Sequence, residues 1–167
     1  GLTLGQYLRQ AIFDPLEMHD TFFLAPPHQK ARVAVIYTDG PEGLIPWEDT
    51  GEGFRMTDNP RLESGGAGLI STIDDYARFG QMMLGQGKIG GRHLLARQTI
   101  EAMTAAHLDE VQLARYRAFN DGDELGYSYG YMVRVMQQPR QSQYPGEGEG
   151  AFGWNGKAGT SLRVDPV

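Results

Sequence analysis

The spacing of apolar positions changes along the chain. Thr3 with Gln6 three residues on has capping-box spacing, and Leu4, Tyr7, Leu8, Ala11 and Ile12 form an apolar stripe that ends before Pro15. That pattern predicts a helix of about ten residues. From Arg32 to Thr38 the period is two, with Val33, Val35 and Tyr37 on one face, which predicts a strand running into a turn at Asp39-Gly40. Trp47 to Pro60 is rich in Gly, Asp and Glu without periodicity and reads as a long loop.

The strongest helical signal follows. Ser71 with Asp74 and Thr72 with Asp75 are overlapping capping boxes, and Ile73, Tyr76, Ala77, Gly80, Met83 and Leu84 recur at helical spacing until Gly85 and Gly87. A further helix is expected over Arg97 to Ala106 with Ile100 and Met103 inward, although Ala96 is a poor cap. From Gly126 the period returns to two: Tyr127, Tyr129, Tyr131, Val133 and Val135 alternate with Ser128, Gly130, Met132 and Arg134, as in a single strand. After a loop over Gln137 to Gly150, Ala151 to Trp154 and a run carrying Leu162 and Val164 opposite Ser161 and Arg163 complete the strands. Helices first and consecutive strands last predict an α+β fold: a helical region with long loops over residues 1–120, then antiparallel sheet strands over 121–167.

Composition narrows what such a fold does. With 40% hydrophobic and 10% aromatic residues the 167-residue chain has material for a core. Its 15 Lys and Arg against 21 Asp and Glu give a net charge of -6, which repels nucleic-acid phosphates and anionic lipid. No cysteine is present, so thiolate metal sites are excluded and the compartment stays open between periplasm and cytoplasm. No apolar run approaches the ~20 residues of a membrane span. Gly1 is not an initiator methionine, and the run Thr160 to Val164 reads as a strand followed only by Asp165-Pro166-Val167, so a boundary cut through a larger domain is expected.

Several local patterns suggest chemistry. Gly126-Tyr127-Ser128-Tyr129-Gly130 matches G-x-S-x-G as text, but a nucleophile elbow needs a helix after the serine, and the residues that follow alternate as a strand. His19, His28, His93 and His107 show no metal-binding spacing and read as surface or loop residues. Asp121, Asp123 and Glu124 around Gly122 lack the other positions of a calcium loop and read as a solvated acidic loop. Ser64-Gly65-Gly66-Ala67-Gly68 runs into the Ser71 helix. It reads either as an anion-binding turn with Gly65 and Gly66 as a pocket loop, or as a tight turn whose donors are taken by helix caps.

Three blocks in order then carry a resemblance. Ile12-Phe13-Asp14-Pro15-Leu16-Glu17-Met18-His19-Asp20-Thr21-Phe22, the run Ser64 to Phe79 (S-G-G-A-G-L-I-S-T-I-D-D-Y-A-R-F), and Gly150-Ala151-Phe152-Gly153-Trp154-Asn155-Gly156-Lys157-Ala158-Gly159-Thr160 with Val164-Asp165-Pro166 are similar to β-lactamase-like and penicillin-binding-protein-like serine hydrolases, in particular the esterase-type branch related to class C β-lactamases. The resemblance implies an S-x-x-K nucleophile, a tyrosine motif that moves the proton, and a K-T-G-like triplet on the far wall. It implies no cofactor or metal, a small-molecule ester or amide as substrate, and an acyl-enzyme intermediate. None of the five serines, Ser64, Ser71, Ser128, Ser142 and Ser161, has Lys three positions on, and no Tyr has Asn two positions on.

In the family's order both motifs precede Gly1, so the chain is expected to be inactive alone and to need the N-terminal part of the same protein. Trp154-Asn155-Gly156 resembles the triplet that esterase-type members write W-G-G, with the Lys157 backbone N–H donating to the oxyanion. Without a cation first and a hydroxyl second, the triplet suggests esters more than lactams or D-peptides. Lys157-Ala158-Gly159 also resembles K-T-G, in a register three residues on. Trp154 would equally suit a core position at a sheet edge. A second reading of the chain is a non-catalytic scaffold or binding module that keeps the fold.

Overall fold

The computed structural model describes residues 1–47, 62–120, 125–142, 144–156 and 158–167. The predicted loop beyond Trp47, the acidic residues Asp121, Asp123 and Glu124, and Lys157 lie outside the described residues. The chain divides into two compact units, Gly1–Tyr76 and Ala77–Val167.

In the first unit the Thr3 capping box forms as its spacing predicts: Thr3 Oγ1 accepts the Gln6 N–H and Gln6 Oε1 accepts the Thr3 N–H. α1 (Leu4–Leu8) continues as one π-turn over Arg9–Phe13, closed by the Asp14 N–H on the Arg9 carbonyl. The chain then reverses at Glu17, which sits at φ 57. Met18 N–H meets the Phe13 carbonyl and Glu17 N–H the Asp14 carbonyl, the pair of bonds of a Schellman stop, with Phe13, Leu16 and Met18 buried beneath it.

The segment after it ties two of the family-like blocks together. Phe22 and Ile70 form a β-bridge, and buried Thr21 Oγ1 shares a hydrogen bond with Ser71 Oγ (2.8 Å) and donates to Asp75 Oδ2 (2.8 Å). Asp75 Oδ2 also accepts the Asp20 N–H at 2.8 Å. The strand predicted from Arg32 begins later. Residues 30–32 form a 3₁₀ turn, and β1 (Tyr37–Gly40) pairs with β2 (Gly43–Pro46) around Pro41-Glu42. Val33 and Val35 precede β1, whose described ladder runs from Tyr37 opposite Pro46 to Gly40 opposite Gly43.

α2 runs Ile73–Leu84. Thr72 Oγ1, not Ser71, caps it by accepting the Asp75 N–H, while the Asp75 carboxylate turns to Asp20 and Thr21 instead of closing the box. The predicted inward face is only partly correct: Ile73 is 89% exposed, and the buried side chains of the last turns are Met82 and Met83. The stop is a second Schellman pair, Gly87 N–H to the Met82 carbonyl and Gln86 N–H to the Met83 carbonyl, so Gln86 (φ 55) occupies the left-handed position between the two glycines that predicted the end.

In the second unit β3 (Lys88–Ile89) and β4 (Arg92–His93) form a short hairpin, and α3 (Arg97–Met103) buries Ile100 completely. α3 stops three residues before the predicted Ala106. α4 (Glu110–Phe119) was not expected: Asp109 caps it in a box with Gln112.

The sheet is an antiparallel meander of β5 (Tyr127–Tyr129), β6 (Arg134–Met136), β7 (Phe152–Asn155) and β8 (Ser161–Val164). The single strand predicted from Gly126 is thus a hairpin, with Tyr127 opposite Met136 and Met132 at φ 63 in the turn. The turn is fixed by α3. The Tyr131 N–H meets the Met103 carbonyl, and a Cβ on Gly130 would lie 2.2 Å from that oxygen, so only glycine allows the approach. Ser128, on β5, is buried beside Val135 in register with it, and no helix follows it.

Candidate active site

The Trp154-Asn155-Gly156 triplet sits where β7 ends. Trp154 and Asn155 are the last two residues of the strand, opposite Leu162 and Ser161 of β8. Gly156 opens the connecting turn: its N–H meets the Thr160 carbonyl at 2.7 Å, and a Cβ there would lie 2.3 Å from Thr160 Oγ1. Ala158 and Gly159 belong to the turn, Gly159 at φ 81, and Lys157 is outside the described residues.

Trp154 is 43% exposed within this chain. Its ring stands edge-on to Tyr129 at 5.4 Å, and Tyr129 in turn tilts against Tyr116 of α4 at 5.8 Å. These aromatics line an open hollow of about 310 Å³ together with Leu108, Gln112, Phe119 and Asn120. One end of each carboxamide there is engaged: Gln112 Oε1 takes the Asp109 N–H, and Asn120 Nδ2 donates to the Tyr116 carbonyl. Ring faces and the Leu108 side chain supply the apolar part of the lining, and a volume of this size is at the lower end of small-molecule sites.

Next to Asn155 lies a buried ionic and aromatic cluster. Arg134 of β6 is 1% exposed, with its guanidinium 4.8 Å from the Tyr127 ring and 5.5 Å from the Tyr144 ring. Arg163 of β8 lies 3.6 Å over Tyr144 and pairs with Glu147 at 3.2 Å. Glu147 also accepts from the Tyr127 hydroxyl and, at 2.9 Å, from Ser142 Oγ. Burial, reinforced by the hydrogen bond to the Glu147 carboxylate, pushes the Tyr127 hydroxyl up to about 12, so it stays a donor at neutral pH. Arg134 Nη2 donates to Asn155 Oδ1 at 3.1 Å, and Ser161 Oγ donates to the same oxygen at 2.9 Å.

Gly65 and Gly66 lie in the first unit, in an exposed turn closed by the Gly68 N–H on the Ser64 carbonyl. A Cβ on Gly66 would meet nothing within 4 Å. The Phe22–Ile70 bridge separates this turn from the start of α2, so these glycines do not form the helix N-terminus. Ser128 Oγ is buried without a hydrogen-bond partner among the described residues, hence without a general base. Tyr116, Tyr129 and the α4 side of the hollow were not legible as site residues, although the Asp109–Gln112 box could have announced the helix that carries them.

Antiparallel strands, a preceding helical part and this triplet at a strand end define a portion of a serine β-lactamase/transpeptidase-like fold. A family model described as beta-lactamase matches residues 1–167, and the chain belongs to the beta-lactamase family. Two Mycobacterium tuberculosis proteins, "Protein Rv1367c" (strain H37Rv) and "Uncharacterized protein MT1414" (strain CDC 1551), are each 29% identical over 166 residues, which is 98% of this chain and 40% of theirs. The chain therefore spans about 40% of the length of the curated relatives it matches.

Among solved structures it is similar to EstCE1, "a hydrolase with promiscuous acyltransferase activity" (TM-score 0.74, 23% identity, 98% of this chain and 42% of that one). It is also similar to the unliganded selenomethionyl simvastatin synthase LovD of Aspergillus terreus (0.76, 20%, 99% and 43%) and to a penicillin-binding protein homologue of Caulobacter crescentus (0.64, 23%, 99% and 44%). At these identities the likeness establishes the fold.

Proposed function

We propose that this chain supplies the substrate-binding wall of a serine hydrolase that forms an acyl-enzyme with ester substrates, and that the attacking serine and its base lie outside these 167 residues. The observation that carries the reading is the triplet itself. At the end of β7, where the family's cationic K-T-G-like motif is expected, stands Trp154-Asn155, with an aromatic hollow beside it instead of a cation and a hydroxyl. Such a wall favours an apolar acyl or alkoxy group over the carboxylate of a lactam or D-peptide. EstCE1, named a hydrolase with promiscuous acyltransferase activity, supports the hydrolase part of this reading.

No serine of the chain precedes a Lys by three positions, so the isolated chain is inactive on this reading. The Gly156–Thr160 turn is where a backbone donor to the oxyanion would stand, with Lys157 as the residue that supplies it.

The test is kinetic. The protein expressed from the complete reading frame is mixed with p-nitrophenyl butyrate and, separately, with nitrocefin and a D-alanyl-D-alanine peptide. A burst of p-nitrophenol followed by steady turnover, with at least tenfold lower kcat/KM on the lactam and the peptide, is expected. Lactam or peptide turnover equal to or above the ester's would overturn the ester assignment.

A further inference from the structure

The proposal rests on the wall reading above and names what the hollow beside Trp154 holds. Of the described residues that line it, Tyr116, Phe119, Tyr129 and Trp154 bring aromatic rings, and Leu108 is the one aliphatic side chain. A hollow for a neutral hydrocarbon gains little from rings that leucine or valine would not supply, since burial follows apolar area. Rings add a face of negative charge density that attracts a cation. Here they do not lie in a parallel stack. The Trp154 and Tyr129 planes stand at 74° with centroids 5.4 Å apart, and the Tyr129 and Tyr116 planes at 41° and 5.8 Å. Rings at different tilts therefore border one space, which suits a rounded cation better than a flat one.

The surroundings favour positive charge as well. Phe119 ends α4 and Asn120 caps it, so the hollow meets the C-terminal end of a ten-residue helix, where the last carbonyls and the macrodipole attract cations. Arg117, the basic residue of that last turn, is not among the described lining residues, and the chain as a whole carries a net charge of -6. No carboxylate is among the described lining residues either. A primary ammonium, compact and strongly hydrated, needs such an acceptor to leave water. A methylated ammonium does not, because its charge lies under an apolar methyl surface that rings can cover.

We propose that this hollow is the subsite for a trimethylammonium-type group, and that the preferred substrates are esters carrying such a cation near the scissile bond. Tyr116 and Phe119 meet the cation from α4, Tyr129 and Trp154 from the sheet. Trp154, first in the triplet, joins the subsite to the wall.

The protein made from the complete reading frame is assayed with two pairs of esters that match in shape and differ in charge. Butyrylcholine is paired with 3,3-dimethylbutyl butyrate, and p-nitrophenyl 4-(trimethylammonio)butanoate with p-nitrophenyl 5,5-dimethylhexanoate. In at least one pair the cationic ester is expected to have a kcat/KM about tenfold above its neutral isostere, and the pair that responds tells an alkoxy-borne from an acyl-borne cation. Phe119 is 87% exposed, so Phe119→Lys sets a competing cation at the hollow with little loss of packing and should bring that ratio to about one or below. Trp154→Leu, aliphatic in place of aromatic, should lower the ratio about threefold or more, and Trp154→Phe, which keeps a ring, should retain most of it.

Values of kcat/KM within twofold of each other in both pairs would overturn the proposal while leaving ester hydrolysis standing. A preference that Phe119→Lys and Trp154→Leu leave unmoved would overturn it too, because the cation would then be read elsewhere. If none of these esters is hydrolysed, the wall reading fails on its own and the hollow is judged by binding alone. Titration calorimetry must then show choline binding the complete protein about fivefold or more tightly than 3,3-dimethylbutanol, with the difference lost in Phe119→Lys; equal or absent binding refutes the subsite.

Discussion

Removing the Glu147 carboxylate tests the buried cluster around Tyr127 and Arg163. Glu147 is 10% exposed and receives three partners: the Tyr127 hydroxyl, Ser142 Oγ at 2.9 Å and the Arg163 guanidinium at 3.2 Å. In Glu147→Ala these fare differently. Ser142 keeps bonds to the Tyr144 backbone, and Arg163, 25% exposed, is reached by water and keeps the Tyr144 ring. Tyr127, at 1% exposure, loses the carboxylate and keeps only the Ser142 hydroxyl beside it. A buried hydroxyl that loses a charged acceptor costs about 1–3 kcal/mol and the partly screened ion pair about 1 more, so a loss of about 3 kcal/mol is expected, at the lower edge of what breaking a buried pair costs.

Glu147→Gln retains an acceptor for Tyr127 and should lose about half as much. Urea unfolding followed by tryptophan fluorescence reads both through the midpoint at constant slope. A Tyr127→Phe, Glu147→Ala cycle should show the two losses to be less than additive by about 1 kcal/mol. Equal losses below about 0.5 kcal/mol in both Glu147 variants would refute the reasoning, because the carboxylate would then be no more than a surface charge.

The remaining predictions concern pH, a helix end and the first unit. Tyr127 is raised from its usual 10 to about 12, so its contribution to stability is fully present below pH 10 and is lost as pH climbs through about 12; Tyr127→Phe should flatten the alkaline arm of a Tm-against-pH curve. Gln86→Gly relieves a left-handed residue at the end of α2 and should raise stability by about 1 kcal/mol in chemical denaturation, whereas an unchanged or lower midpoint contradicts the stop described. Asp75→Ala removes the acceptor of the Asp20 N–H and the Thr21 hydroxyl and should cost about 3 kcal/mol, with Asp75→Asn costing less; hydrogen exchange at the Asp20 amide reports the loss directly.

How far the sequence reached depended on how local each signal was. α2 was legible because Thr72 and Asp75 mark its start and a helical stripe follows, yet Ile73 shows that an apolar residue at the right spacing need not face this chain's core. The β5–β6 hairpin was read as one strand because Tyr131 and Val133 keep the period of two through a turn with no Asn-Gly or Asp-Gly signal. What makes the turn, the approach of the Met103 carbonyl to Gly130, is nonlocal.

α4 escaped because its apolar residues Val111, Leu113, Ala114, Tyr116 and Phe119 are spread around the helix instead of forming a stripe. The triplet at Trp154 was found by resemblance. The donors that hold Asn155 were not, since Arg134 lies 21 positions away in sequence and only the sheet register brings it there.

The central claim, a substrate wall whose nucleophile lies elsewhere in the polypeptide, is tested most directly by mapping a fluorophosphonate adduct by mass spectrometry on the protein made from the complete reading frame. The expected result is one modified serine, within an S-x-x-K sequence outside these 167 residues, lost on serine-to-alanine substitution. An adduct on Ser64, Ser71, Ser128, Ser142 or Ser161, or a complete protein that takes no label and hydrolyses no ester, would contradict it.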